Sequence, residues 1–302
     1  MDDFVKLSIN DIVGCINNNF KVVYPPHNNV KDEFDKFINK EINSRRKNSS
    51  ISNLRNFHNF IKRILINKVT EQIKGNVNLL DIAVGRGGDI FKWNESRIKN
   101  VFGFDKSKDS IESINPFDQG AQERYRNSKD LNVNIEFAVG DAIQPTMELI
   151  NNITAFMKKN NINGFEIMSC QFAMHYFFQS EIALRNVFKA FSPLLKKGGY
   201  FIGTTVDGKN ISNLLKSNNS FDSTLLSITK KYRAVTPRIP FGNKYTFKLN
   251  DTVDQGNYFN TMGESTEYLV SLPELKRIAS EYGLIPVYLN FFEPISKNTY
   301  TT

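Results

Sequence analysis

The sequence predicts an α/β fold, a mostly parallel sheet with helices on both faces and a small β-rich insertion. Three observations carry this. Short apolar runs alternate with helical stretches from Asn78 onward, which is how β-α-β units are written in sequence. The runs read as strands buried on both sides, as in parallel sheets. A chain of 302 residues that is 40% hydrophobic can also bury a full core in one large domain.

The elements follow in order. Residues 1–50 are polar and irregular, with the breaker "YPPHNN", a short helical patch around Phe34 to Ile42 and the basic run "NSRRKNSS", and form an N-terminal extension or linker. The main domain is expected over 51–302. Leu54, Phe57, Ile61, Ile64, Leu65 and Val69 fall at helical spacing, which predicts an amphipathic helix from Ser52 to about Lys74. "NLLDIAV", "VFGFD", "IEFAVGD", "FEIMSCQF" and "GGYFIGTT" read as strands, with helices near 107–126, 143–160 and 180–196. Over 230–265, "RIPFGNKYTFKLN" turns to short strands and turns, the β-rich insertion. A helix then begins with a Ser271–Glu274 capping box and Pro273 in its first turn, and "LIPVYLNFF" supplies a last strand.

Composition narrows the partners. No stretch approaches the roughly 18 consecutive apolar residues of a membrane span, and "MDDFVKLSIN" lacks the basic start and apolar run of a signal peptide, so no membrane role and an intracellular location are expected. Cys15 and Cys170 are too few for a disulfide framework or a zinc site. The net charge of +8 and pI near 9.2 favour an anionic partner such as nucleic acid. Asparagine, about one residue in eight, reads as coding bias rather than chemistry.

The chemistry concentrates in "LLDIAVGRGGDIFKW", residues 79–93. A P-loop needs G-x-x-x-x-G-K-[ST], and this loop has neither the spacing nor the lysine. The dinucleotide fingerprint fails too, because Ile90 stands three residues after Gly87. An acidic residue on the first strand, a tight glycine turn and a helix remain, which match methyltransferases that use S-adenosylmethionine. Gly85, Gly87 and Gly88 would let backbone approach the methionine portion. In parallel sheets ligands bind beyond the C-terminal ends of the strands, which makes neighbours of Asp81 to Gly88, Asp105, Asp141 and Gln171 to Tyr176. Asp105 is placed to take ribose hydroxyls and Asp141 to border the adenine.

"LRNFHNFIKRILI", "DIAVGRGGDIFKW", "CQFAMHYFF", "GGYFIGTT", "FGNKYTFKL" and "EYLVSLPEL" occur in the order and with the character of the mRNA cap guanine-N7 methyltransferases, and residues 51 to 293 resemble that family. N-F-x-N-x-x-K, F-x-x-H-Y and F-G-x-K-Y together set it apart from a generic methyltransferase. The resemblance implies a Rossmann-like S-adenosylmethionine-dependent methyltransferase fold with a mostly parallel seven-stranded sheet. It implies S-adenosylmethionine as cofactor, S-adenosylhomocysteine as product and no metal. The cofactor site would comprise Lys62, Asp81, Ala83, Gly85, Asp105, Asp141, Gln171 and Tyr176, with Lys62 on the methionine carboxylate. His58, Asn59, Arg86, Lys92, Arg124, His175 and Glu267 would surround the cap, the cations meeting its triphosphate. Glu267 can accept guanine N1–H and N2–H together, a readout of about 1–3 kcal/mol by analogy with bidentate base contacts.

No residue is expected as a catalytic acid or base; Glu267, His175 and Tyr176 would orient the guanine. The partner would be 5′-capped GpppN-RNA, with guanylyltransferase and triphosphatase domains or subunits of a capping enzyme alongside, since no K-x-D-G nucleophile motif is present. The setting would be the nucleus for a cellular enzyme and the cytoplasm, in virion or viral factory, for a viral one. The family usually has glycine at the position of Ala83, and often cysteine at Val84 and lysine at Arg86. It also normally continues past the "LNFFEP" region to another helix and a strand carrying a tyrosine that packs on the cap guanine, whereas this sequence stops at Thr302. Two alternatives stay open on sequence: a methyltransferase for another substrate, and a non-catalytic stimulatory subunit with this fold.

Overall fold

The computed structural model describes residues 52–116, 118–233, 239–249 and 264–287. The N-terminal extension, part of the β-rich insertion and most of the expected last strand lie outside them, and Leu284 to Val287 are not in a strand.

Five strands form a parallel sheet in the order β3-β2-β1-β4-β5. They are β1 (Asn78–Ile82), β2 (Asn100–Asp105), β3 (Asn134–Val139), β4 (Phe165–Gln171) and β5 (Leu195–Thr204). Among the described residues this sheet has five strands rather than the seven expected, and a second, antiparallel sheet has four. Its order is β6 (Ser220–Asp222), β7 (Leu226–Lys230), β8 (Lys244–Leu249), β9 (Ser265–Tyr268). The β-rich part therefore starts upstream of residue 230.

Side-chain alternation divides the core into two layers. Leu80, Ile82, Phe102, Phe104, Met168 and Cys170 face α5 (Met147–Lys159), α7 (Glu181–Phe191) and α8 (Leu272–Glu281). Leu79, Val101, Ile135, Ile167 and Ile202 face the other way, onto α1 (Ser52–Glu71), α2 (Ile90–Glu95), α3 (Lys108–Glu112) and α4 (Ala121–Asn127). The stretch expected as one helix near 107–126 is two, because Gly120, whose added Cβ would lie 2.6 Å from the Ile111 carbonyl oxygen, brings the chain back against α3. The buried stripe of α1 is Phe57, Phe60, Ile66 and Val69, rotated from the expected set.

Helix starts carry side-chain caps: Thr146 accepts from the Leu149 N–H at 3.2 Å and Ser180 from the Ala183 N–H at 3.1 Å. The capping box expected at Ser271 is not closed. Ser271 is the N-cap and Pro273 sits in the first turn, but the Ser271 side chain makes no cap bond and Glu274 pairs with Arg277.

At the N-terminal edge of the sheet an amide ladder runs across three strands. Asn100 Nδ2 donates to Asn78 Oδ1 at 2.7 Å, Asn134 Nδ2 to Asn100 Oδ1 at 3.1 Å, and Asn78 Nδ2 to Glu166 Oε2 at 2.8 Å, with Lys196 paired to Glu166. These bonds satisfy buried amides and fix strand register, leaving the opposite, C-terminal edge for ligands.

Candidate functional site

The sheet order reverses between β1 and β4, and both strands leave the sheet through left-handed backbone. Ala83 follows β1 with φ 61° and Phe172 follows β4 with φ 54°. Residues with side chains rarely adopt this conformation, and such strain collects at ligand sites.

A hydrogen-bonded relay crosses the rim at this point. Thr204 Oγ1 donates to Gln171 Oε1 at 2.9 Å, Gln171 Nε2 donates to Ser169 Oγ at 3.2 Å, and Ser169 bonds the carboxyl of Asp81, its partner in the β1–β4 register. Asp81 is 3% exposed, and its Oδ1 has no partner. Burial, with Asp89 nearby, pushes its carboxyl well above the usual range. A buried acceptor at the end of a donor chain suits a cationic or hydrogen-bond-donating ligand group, and the ammonium of a methionine moiety fits it.

The glycine turn is held from the next strand. Gly85 N–H donates to Asp105 Oδ2 at 2.9 Å, while Asp105 Oδ1 accepts from Ser107 N–H at 2.8 Å. Gly85 and Gly87 have φ of 55° and 70°, and a Cβ on Gly87 would lie 2.8 Å from Ile90 Cδ1. Asp141 closes a local turn, its Oδ1 accepting from Ile143 N–H at 2.8 Å.

Three candidate cations are engaged within the protein. Lys62 Nζ lies 2.6 Å and Lys92 Nζ 2.8 Å from the same oxygen of Asp89, and Lys92 also donates to the Gly88 carbonyl at 2.9 Å. Lys92 is 4% exposed, and burial holds its ammonium below the ordinary lysine value. Burial raises the Asp89 carboxyl, but the two lysines outweigh it and leave it below the usual range. Arg86 pairs with Asp109 and, at 2.9 Å, with Asp118, and donates to the Asp118 carbonyl at 2.8 Å, tying the glycine turn to α3 and its following loop. Arg124 stands half-buried on α4. Asp89 was not singled out in the sequence. Its signal was an acidic residue at the start of α2, three residues before Lys92.

A second cluster joins the two sheets. His175 and Tyr176 lie on α6 (Met174–Phe177), which packs against β9. His175 is 3% exposed, neither ring nitrogen has a hydrogen-bond partner, and Nε2 lies 3.7 Å from Glu267 Oε1. Burial outweighs the nearby carboxylate and lowers its imidazole below the ordinary value, so the ring is neutral at neutral pH. The Tyr176 ring lies 4.2 Å from that of His175, and Lys106 Nζ stands 5.7 Å over it. His58 packs on Phe172 at 4.5 Å, and burial with Lys62 nearby lowers its imidazole to about 4. Asn59, the next residue of α1, is half-buried.

A family model described as the mRNA (guanine-N(7))-methyltransferase domain matches residues 23–301. The chain belongs to this family. Among curated members, mRNA cap guanine-N(7) methyltransferase 1 of Arabidopsis thaliana is 29% identical over 86% of this chain and 66% of its own. The mRNA cap guanine-N(7) methyltransferase of Caenorhabditis elegans is 31% identical over 83% and 63%, and that of Saccharomyces cerevisiae 29% over 80% and 52%. The chain thus spans between half and two thirds of the length of these relatives. The solved CcbJ methyltransferase of Streptomyces caelestis superimposes with a TM-score of 0.50 at 11% identity, covering 75% of this chain and 80% of that one. The fold is that of the α/β S-adenosylmethionine-dependent methyltransferases. Among the described residues no helix is long and apolar enough to cross a membrane.

Proposed function

We propose that this chain transfers the methyl group of S-adenosylmethionine to N7 of the 5′ cap guanine of GpppN-RNA, with guanylyl transfer and triphosphate hydrolysis supplied by other domains or subunits. One observation carries the reading: a buried carboxylate and a buried neutral imidazole, Glu267 and His175, stand 3.7 Å apart beside the S-adenosylmethionine rim. The guanine edge offers one acceptor, O6, and two donors, N1–H and N2–H. His175 can donate to the first and Glu267 accept from the other two, whereas adenine presents the opposite polarity at these positions.

When bound, S-adenosylmethionine supplies a methyl group already activated on sulfur. Asp81, Asp105, Gln171 and Tyr176 would hold it, and Asp141 would border its adenine. Guanine N7 carries a free lone pair near neutral pH, so the residues around it need no proton transfer, and their contribution is placement, which can supply about 7–11 kcal/mol. The Glu267 carboxylate and the Tyr176 ring face would favour the positive charge that develops on the guanine. For the triphosphate, Arg86, Lys92 and Arg124 are the candidate cations, each exchanging contacts within the protein for phosphate.

The test is Glu267→Ala. Methylation of GpppN-capped RNA should fall at least a hundredfold while S-adenosylmethionine binding by calorimetry is unchanged. Normal turnover in that variant would overturn the assignment.

A further inference from the structure

The motif F-G-x-K-Y, Phe241 to Tyr245, has no role in the assignments above, yet every residue of it but one makes a defined contact on the way to Glu267. Phe241 stacks on Phe178 at 5.2 Å, with planes 18° apart, and Gly242 N–H donates to the Phe178 carbonyl at 3.0 Å, with Gly242 in left-handed backbone at φ 74°. The motif is thereby fastened to the residue that ends α6, the helix that bears His175. Asn243 accepts from Leu269 N–H at 3.0 Å, which brings β8 alongside β9. The register then sets Tyr245 directly across from Glu267, and the Tyr245 hydroxyl donates to Glu267 Oε2 at 2.6 Å.

We propose that Tyr245 is a positioning residue for guanine recognition: its hydroxyl fixes the Glu267 carboxylate in one orientation, with Oε1 toward His175, so that both oxygens meet the guanine N1–H and N2–H. The other donor to Glu267 cannot do this alone. Ser265 Oγ lies 3.0 Å from Glu267 Oε1 and 3.1 Å from the Phe247 carbonyl, and its single hydrogen serves one acceptor at a time. Tyr245 has one acceptor and a side chain 1% exposed, locked by packing with Ile211, Leu215 and Ile228. A short bond to a charged acceptor in a water-excluded place is among the stronger kinds, and a carboxylate so held has little rotamer freedom left to lose on binding. The hydroxyl touches no reacting atom in this scheme; it acts through Glu267.

The inference rests on the proposed cap methylation, and Tyr245→Phe tests it, since the ring and its packing remain. The melting temperature should stay within a few degrees and S-adenosylmethionine affinity should be unchanged. KM for GpppA-RNA should rise by about ten- to a hundredfold, as for loss of a hydrogen bond to a charged group, with kcat changed far less. A purely structural role would not move base selectivity, so the decisive readout is the ratio of kcat/KM for GpppA-RNA to that for the inosine-capped analogue, which lacks the N2 amino group. Wild type should prefer guanosine, and Tyr245→Phe should lose about tenfold or more of that preference. An active wild type with KM and selectivity unchanged in the folded variant overturns this inference and leaves the cap reading standing. A wild type that methylates no capped RNA overturns both.

Discussion

Substituting Asp89→Asn removes one negative charge and almost no volume from a place where two ammonium groups converge. Lys62 and Lys92 both contact Asp89 Oδ1, at 2.6 and 2.8 Å, and the side chains of Lys92, Asp89 and Lys62 are 5%, 8% and 12% exposed. Deleting the shared partner leaves two like charges close together with little water. Breaking a buried pair in this way costs about 3–5 kcal/mol. At roughly 2–4 °C per kcal/mol for a large domain, the melting temperature should drop by about 6–20 °C. Urea unfolding followed by far-ultraviolet circular dichroism measures the difference. Its pH dependence gives a second check. The Asp89 carboxyl is held below 3.8 in the folded chain, so its contribution is present above 3.8 and lost as pH falls through the lower folded value, where wild type and variant should converge. Lys92 is held below 10.5, so its buried charge is a penalty that begins to lift as pH rises through its folded value and is gone above 10.5. In Asp89→Asn that relief should begin at lower pH, which narrows the gap on the alkaline side as well. A variant within about 1 kcal/mol of wild type at pH 7 would refute the argument that the lysines depend on Asp89.

Two further predictions concern the rim. Ala83→Gly should raise stability by about 0.5–1 kcal/mol, because the left-handed conformation at φ 61° costs alanine more than the extra chain entropy costs glycine; a fall in melting temperature would contradict the strain. Asp105→Ala removes the acceptor for both Gly85 N–H and Ser107 N–H as well as the expected ribose contact, so S-adenosylhomocysteine should bind at least tenfold more weakly by calorimetry, and unchanged affinity would sink the assignment.

The five parallel strands were legible because each is an apolar run ended by a turn or helix signal, and the rim followed from the rule that ligands gather at the C-terminal edge. The left-handed backbone at Ala83 and Phe172 was not legible, since neither residue advertises it. Arg86, Lys62 and Lys92 were expected as cations of the site, but sequence spacing does not show what they bond. The acids that hold them, Asp89, Asp109 and Asp118, lie at separations from three to 32 residues. Asn78, Asn100 and Asn134, dismissed within a compositional bias, turn out to bridge three strands. A period-2 pattern sets strand faces but not which strand joins which sheet, and the seven strands implied by the family resemblance stand, among the described residues, as five in one sheet beside a separate antiparallel sheet. Glu267 was singled out through the motif "EYLVSLPEL", while the tyrosine opposite it needed the β8–β9 register.

The central claim is that methyl transfer occurs at guanine N7. Unmethylated GpppG-RNA incubated with the chain and methyl-labelled S-adenosylmethionine, then digested with nuclease P1 and chromatographed beside standards, tests it most directly. The label should appear in m7GpppG. Label on a ribose 2′-oxygen or an internal base would contradict it, and so would no transfer by a chain that still binds the cofactor.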